Sequence, residues 1–150
     1  MTYYLMVENG KIIGGSQCTS GGDIIDVEVT EEVYNDWLEH SNKYIYSDGN
    51  IVLNPNYEQE QAEKERQRVG RLQVTKRVFA LALQQLGISY SQLKELIATS
   101  EQAQLEWDLC VELQRNNPLL DVMAAQLGVS SETLDYIFRK ANGEIQDEQF

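Results

Sequence analysis

The sequence predicts an α+β protein: a small N-terminal β-hairpin or meander unit with one short helix, a long charged connecting helix, and a C-terminal all-α helical domain. Three observations carry this expectation. Two Asx-Gly dipeptides, Asn9-Gly10 and Asp48-Gly49, are each flanked by β-branched and aromatic runs. The stretch from Glu58 to Arg68 is almost free of apolar residues and rich in helix formers. Beyond it, apolar residues recur at helical spacing, punctuated by Gly-then-Ser signals. The 150 residues, 42% of them hydrophobic, suffice for one domain or two small ones. The expected division is 1–56, 57–78 and 79–150.

Taken in order, Tyr3 to Val7 and Lys11 to Ile13 are expected to form a hairpin around Asn9-Gly10, because this dipeptide tolerates the positive φ angles of a tight turn. Gly14-Gly15 and Gly21-Gly22 are expected to bracket a polar loop containing Cys18. Ile24, Ile25, Val27 and Val29 form a third strand. Thr30 then caps a short helix through Tyr34, Trp37 and Leu38, with Glu31 and Glu32 in its positive first turn. A second hairpin turns at Ser47-Asp48-Gly49-Asn50, and Asn54-Pro55 ends the sheet. So small a meander is not expected to be very stable alone.

From Tyr57 a solvent-exposed helix is expected, with surface pairs Glu60–Lys64, Glu63–Arg66 and Glu65–Arg68. Val69, Leu72, Phe79, Leu83 and Leu86 would bring the same helix into a core, and their spacing could support a short coiled coil. The helices are expected at roughly 57–86, 90–98, 101–115, 118–127 and 131–141. Two of their junctions echo each other: Gln85-Leu86-Gly87-Ile88-Ser89 and Gln126-Leu127-Gly128-Val129-Ser130. In each, Gly suits a left-handed helix end, Ser caps the next helix, and Ile88 or Val129 staples onto Leu93 or Leu134. Pro118 takes the first helical position, where its missing N–H is tolerated. The segment 142–150 is expected to fray.

Charge narrows the function classes. The net charge is −12, distributed as −7 over residues 1–56, +2 over 57–78 and −7 over 79–150. A basic collar therefore separates two acidic ends, which disfavours direct nucleic-acid binding. The plain interpretation is solubility with a solvated helix; the sharper one is that the acidic ends mimic nucleic acid or meet a basic partner. Neither a membrane span nor a secretory leader is expected, and two isolated cysteines point to reduced thiols in a cytosolic setting.

Catalytic, cofactor and metal sites are not expected. His40 has no accompanying Ser or Cys motif, Cys18 and Cys110 with one histidine cannot complete a zinc site, and the glycine pairs lack a phosphate-loop context. Cys110 is expected as a small core residue and Trp107 as a half-buried anchor. Asp23 and Asp26, though close, are weak as a carboxylate pair in so acidic a segment. The helix–Gly turn–helix units are treated as packing grammar, because Glu132 and Asp135 would repel phosphate on a recognition helix. Arg115 is expected to suit the negative end of its own helix. The candidate protein-contact surface is the collar: Arg66, Arg68, Arg71, Lys76 and Arg77.

The stretch Arg71-Leu72-Gln73-Val74-Thr75-Lys76-Arg77-Val78-Phe79, then Leu86-Gly87-Ile88-Ser89-Tyr90, Glu106-Trp107-Asp108-Leu109 and Arg115-Asn116-Asn117-Pro118-Leu119 resembles small proteins of the tail and tail-fibre region of phages and prophages. The likeness spans most of residues 50–140, is weaker in the N-terminal unit, and carries no catalytic residues to transfer. It implies a non-enzymatic structural or assembly component, made in the host bacterial cytoplasm, with other tail proteins or further copies of itself as partners. Whether it is retained in the virion stays open. The alternative is an acidic phage-encoded inhibitor, an anti-CRISPR or anti-restriction DNA mimic, whose partner is a host nuclease complex.

Overall fold

The computed structural model describes residues 1–146 of the chain. Helices and short strands are mixed along it, and the chain divides into two compact units, Met1–Ala62 and Glu63–Phe150.

In the first unit, β1 (Tyr3–Glu8) lies between β2 (Lys11–Ser16) and β3 (Ile25–Val29), antiparallel to both. Asn9 and Gly10 both have positive φ, the conformation a two-residue hairpin demands. Leu5 and Val7 point to one face of β1 and are the two fully buried side chains of this unit. Helix α1 (Glu31–Glu39), capped by the Thr30 hydroxyl accepting from Val33 N–H, brings Tyr34 against Tyr3 with ring centroids 5.0 Å apart. Gly14 and Gly15 do not open a loop; they lie inside β2. Their small size is the reason: a Cβ on Gly15 would stand 2.6 Å from the Tyr34 ring, and one on Gly14 2.5 Å from the Met6 methyl. After a single 3-10 turn (Ser41–Lys43), β4 (Tyr44–Ser47) and β5 (Asn50–Leu53) pair around Asp48-Gly49. This hairpin forms its own two-stranded sheet, so the expected single meander is two sheets.

Helix α2 (Tyr57–Gly70) is exposed along almost its whole length until Val69. Glu58 and Glu60 in its first turn and Arg68 in its last complement the helix dipole. The pairs Glu63–Arg66 and Glu65–Arg68 form, at 3.1 and 2.7 Å. Lys64 has no ion-pair partner among the described residues, and Glu60 instead accepts from Asn54 at 3.4 Å.

The second unit corrects the sequence expectation in three places. The helix expected over 57–86 is broken: α2 stops at Gly70, β6 (Gln73–Thr75) follows, and α3 (Lys76–Gln85) starts afresh with the Thr75 hydroxyl capping Val78 N–H. Helix α4 (Tyr90–Ala98) comes next, and the helix expected over 101–115 ends early. It is α5 (Glu101–Leu109), and the chain then extends into β7 (Glu112–Gln114). The domain is therefore not all-α. Strands β6 and β7 pair antiparallel, Val74 opposite Leu113, and both side chains are buried in the same core. Arg115 N–H to Leu72 C=O and Asn116 N–H to Gly70 C=O continue the pairing. The physical cause is burial. In extended conformation Val74 and Leu113 both reach the core while their neighbours stay outside.

Helices α6 (Pro118–Gln126) and α7 (Ser131–Ala141) complete the unit. Its core gathers Phe79, Leu83, Leu93, Ile97, Leu120, Leu134, Ile137 and Phe138, with Trp107 and Cys110 packed at the margin. Gly87 and Gly128 take φ of +86° and +73° at identical helix ends. In each, the glycine N–H bonds three residues back and the next N–H five residues back, the six-to-one closure that satisfies the last carbonyls. Gly143 ends α7 the same way. The described part of 142–150 is thereby anchored rather than frayed: Asn142 donates to Gln73 C=O at 3.1 Å, and Glu144 pairs with Arg68 and Arg139. The remainder of that segment, 147–150, lies outside the described residues.

Candidate functional site

The five cationic residues expected to form one contact surface fall into different environments. Arg68 is an internal clamp, holding Glu65 from its own helix and Glu144 from the end of α7. These two carboxylates raise the Arg68 pKa, and Arg68 in turn lowers those of both glutamates. Arg66, paired to Glu63, and Arg71 line a shallow depression of about 340 Å³ with Gln67 and Asn116. Lys76 and Arg77 belong to a different feature, at the start of α3.

That feature is an open groove of about 450 Å³ lined by Lys76, Arg77, Ala80, Leu81, Gln84, Tyr90 and Trp107. Helix α3 supplies five of these because the side opposite its buried stripe of Phe79, Ala82 and Leu83 faces outward. Leu81 is 47% exposed and Tyr90 51%. Trp107 packs against the core and is contacted by Lys76, whose ammonium donates to the Trp107 carbonyl at 2.7 Å and stands 5.7 Å from the ring centroid. Lys94 sits 5.8 Å from the Tyr90 ring. The chemistry on offer is apolar contact with cations at its margin.

The same burial rules out the coiled coil expected along Val69, Leu72, Phe79, Leu83 and Leu86. The helix carrying that seam is interrupted, and Val69, Phe79 and Leu83 are buried within the chain's own core. Leu86 alone of the five is substantially exposed.

Sequence reasoning missed a buried and multiply bonded polar residue of the second unit. Arg115 is not at a helix end; it follows β7, 7% exposed, with its guanidinium among α6 and α7. Its Nε donates to Asp135 at 2.5 Å, one terminal nitrogen to Asp121 at 3.1 Å, and the other to the Ser131 hydroxyl at 2.7 Å and carbonyl at 3.3 Å. The planar fork lets one side chain join three segments. The available signal was an arginine three residues before a helix whose first turn carries an aspartate, Asp121. The contact also occupies the first turns of α7, the helix that a DNA-reading arrangement would need free.

The first unit has a comparable centre in Asp36. Its carboxylate accepts from Lys43 at 2.5 Å, the Tyr44 hydroxyl at 2.5 Å and pairs with His40 at 3.1 Å. Lys43 and then Tyr44 hold the Asp36 pKa down to about 2, against its ordinary 3.8. His40 thus closes α1 against its own aspartate. Asp26 accepts from the Ser20 N–H and hydroxyl at 2.7 and 2.8 Å, so it orders the loop before β3 rather than pairing with Asp23. Cys18 is exposed and Cys110 half-buried, both free. Among the described residues, no group of three or more His, Cys, Asp or Glu could hold a metal ion, and no helix is long and apolar enough to cross a membrane.

Comparison with known proteins found no protein family, no curated protein and no solved structure that this chain matches.

Proposed function

We propose that this chain is a non-enzymatic structural or assembly component that works by binding other proteins, in the tail region of a phage or prophage particle. The observation that carries the protein-binding part is the open groove on the second unit. Leu81 and Tyr90 stand exposed there although the core beneath them is closed by Phe79, Leu83 and Leu93. Further apolar side chains, Leu105, Leu109 and Val111, are exposed along and after α5. Exposed apolar surface beside cations suits protein contact better than solvation. The tail assignment rests on the resemblance of residues 50–140 alone.

Co-expression with the proteins of neighbouring tail genes, followed by light scattering, tests this. The expected result is a defined complex or oligomer. A monomer across a wide concentration range, with no stable complex with any of those proteins, overturns it.

The competing function, an acidic inhibitor of a host nucleic-acid enzyme, draws on the first unit, where Met1–Ala62 carry 11 acidic and 2 basic side chains. Two of the carboxylates a DNA mimic would present, Asp36 and Asp26, are turned to internal partners. Salt-sensitive capture of a purified basic nuclease would favour this function over tail assembly.

A further inference from the structure

The geometry points to a specific occupant for the α3–α5 groove: an acidic amphipathic segment of a partner protein, with apolar side chains on Leu81 and Ala80 and carboxylates toward Arg77 and Lys76. This deepens the protein-binding function proposed above and rests on it.

Charge complementarity carries the argument. Asp and Glu number 24 in this chain against 12 Lys and Arg, yet among the described residues no carboxylate lines the groove. The other four grooves described each include at least one. Four of the six arginines are held in ion pairs: Arg66, Arg68, Arg115 and Arg139. Arg77, exposed at the groove, has no acidic partner among the described residues. Lys76 donates one N–H to the Trp107 carbonyl, which leaves two donors, and no carboxylate among the described residues neutralises its charge. A ligand that brings carboxylates answers both cations; a neutral or basic one leaves them facing apolar surface or like charge.

The floor selects a peptide over a nucleic acid. Base stacking needs free aromatic faces, but one face of the Trp107 ring is taken by Lys76 and one face of the Tyr90 ring by Lys94. What remains between them is aliphatic, from Ala80 and Leu81, and suits the spaced anchors of an amphipathic helix. The surrounding chain, at −12, adds long-range repulsion to any polyphosphate.

The test is selection of a random peptide library on the immobilised full-length chain, with the strongest sequences re-measured by fluorescence anisotropy against R77E and L81Q. Both substitutions are at exposed positions, and circular dichroism confirms that each variant folds. The expected result is a consensus of Asp or Glu interleaved with Leu, Phe or Trp. Its binding falls at least about tenfold in R77E and in L81Q, and weakens with salt. A basic or uncharged consensus, or enrichment indifferent to both substitutions, overturns the proposal. So does a single-stranded oligonucleotide that binds at low salt and is lost in R77E, or self-association of the chain that L81Q dissolves. Groove-dependent binding of the wrong charge leaves the protein-binding function standing and removes only the acidic partner. A tail-protein complex insensitive to both substitutions removes the groove and leaves the function.

Discussion

Replacing Arg115 with alanine removes a side chain that ties the segment after β7 to the first turns of both α6 and α7. Removing one partner of a buried ion pair costs about 3–5 kcal/mol when the other is left buried. Here the abandoned carboxylates are half in water, 51% exposed for Asp121 and 45% for Asp135, so solvent recovers part of their loss. What stays lost is a set of charge-assisted and neutral hydrogen bonds, plus the packing of a side chain 7% exposed. The net expectation is about 2–3 kcal/mol. For a unit of this size that lowers Tm by roughly 10–20 °C. Trp37 lies in the first unit and Trp107 in the second, so thermal unfolding followed by Trp107 fluorescence in a Trp37→Phe background reads the second unit alone. Arg115→Lys, which keeps a charge without the fork, is expected between wild type and alanine. Arg115→Met keeps most of the volume and separates packing from polar contacts. A loss under about 0.5 kcal/mol for alanine, the ordinary range of surface substitutions, would refute the assignment of Arg115 as the joining residue.

Gly87→Ala and Gly128→Ala are each expected to cost about 1 kcal/mol, because φ is positive at both and no heavy atom lies within 4 Å of the added Cβ; unchanged urea midpoints would show that these helix ends tolerate an L side chain. Gly15→Val places a branched side chain where even a Cβ meets Tyr34 at 2.6 Å, so it should destabilise the first unit by about 1–3 kcal/mol and shift Trp37 emission. Asp36 has its pKa lowered to about 2, chiefly by Lys43, so its contribution to stability is present above the ordinary carboxylate value and is lost as pH falls toward 2. Trp37 fluorescence should therefore report weakening of the first unit between about pH 4 and 2, and Asp36→Asn should flatten that part of the curve; identical acid profiles would refute the link.

Local signals were legible where the physics is local. Asn9-Gly10 and Asp48-Gly49 turn the two hairpins, Thr30, Ser89 and Ser130 cap the helices that follow them, and Gly87 and Gly128 end theirs. Of the candidate site, Lys76 and Arg77 were legible as cations, but the groove beside them was not. It depends on Trp107, 31 residues beyond Lys76, which packs against the core and whose backbone carbonyl accepts from Lys76. Strands β6 and β7 escaped for a related reason. Each is three residues long and has meaning only as half of a pair, whereas Thr75 could have been recognised as a cap inside the supposed continuous helix.

By itself, then, the sequence determined the mixed α and β class, the turns and caps, the exposed charged helix and the acidic balance, because these follow from φ preferences, short-range hydrogen bonding and side-chain charge. Only the tertiary structure decided that α2 stops at Gly70, that Val74 and Leu113 meet as strands, and that Arg115 joins α6 to α7. It also decided that the basic collar parts into an internal clamp, a shallow depression and a groove. Each of these outcomes depends on a partner distant in sequence, and burial against that partner outweighs the local helical preference of the residues involved.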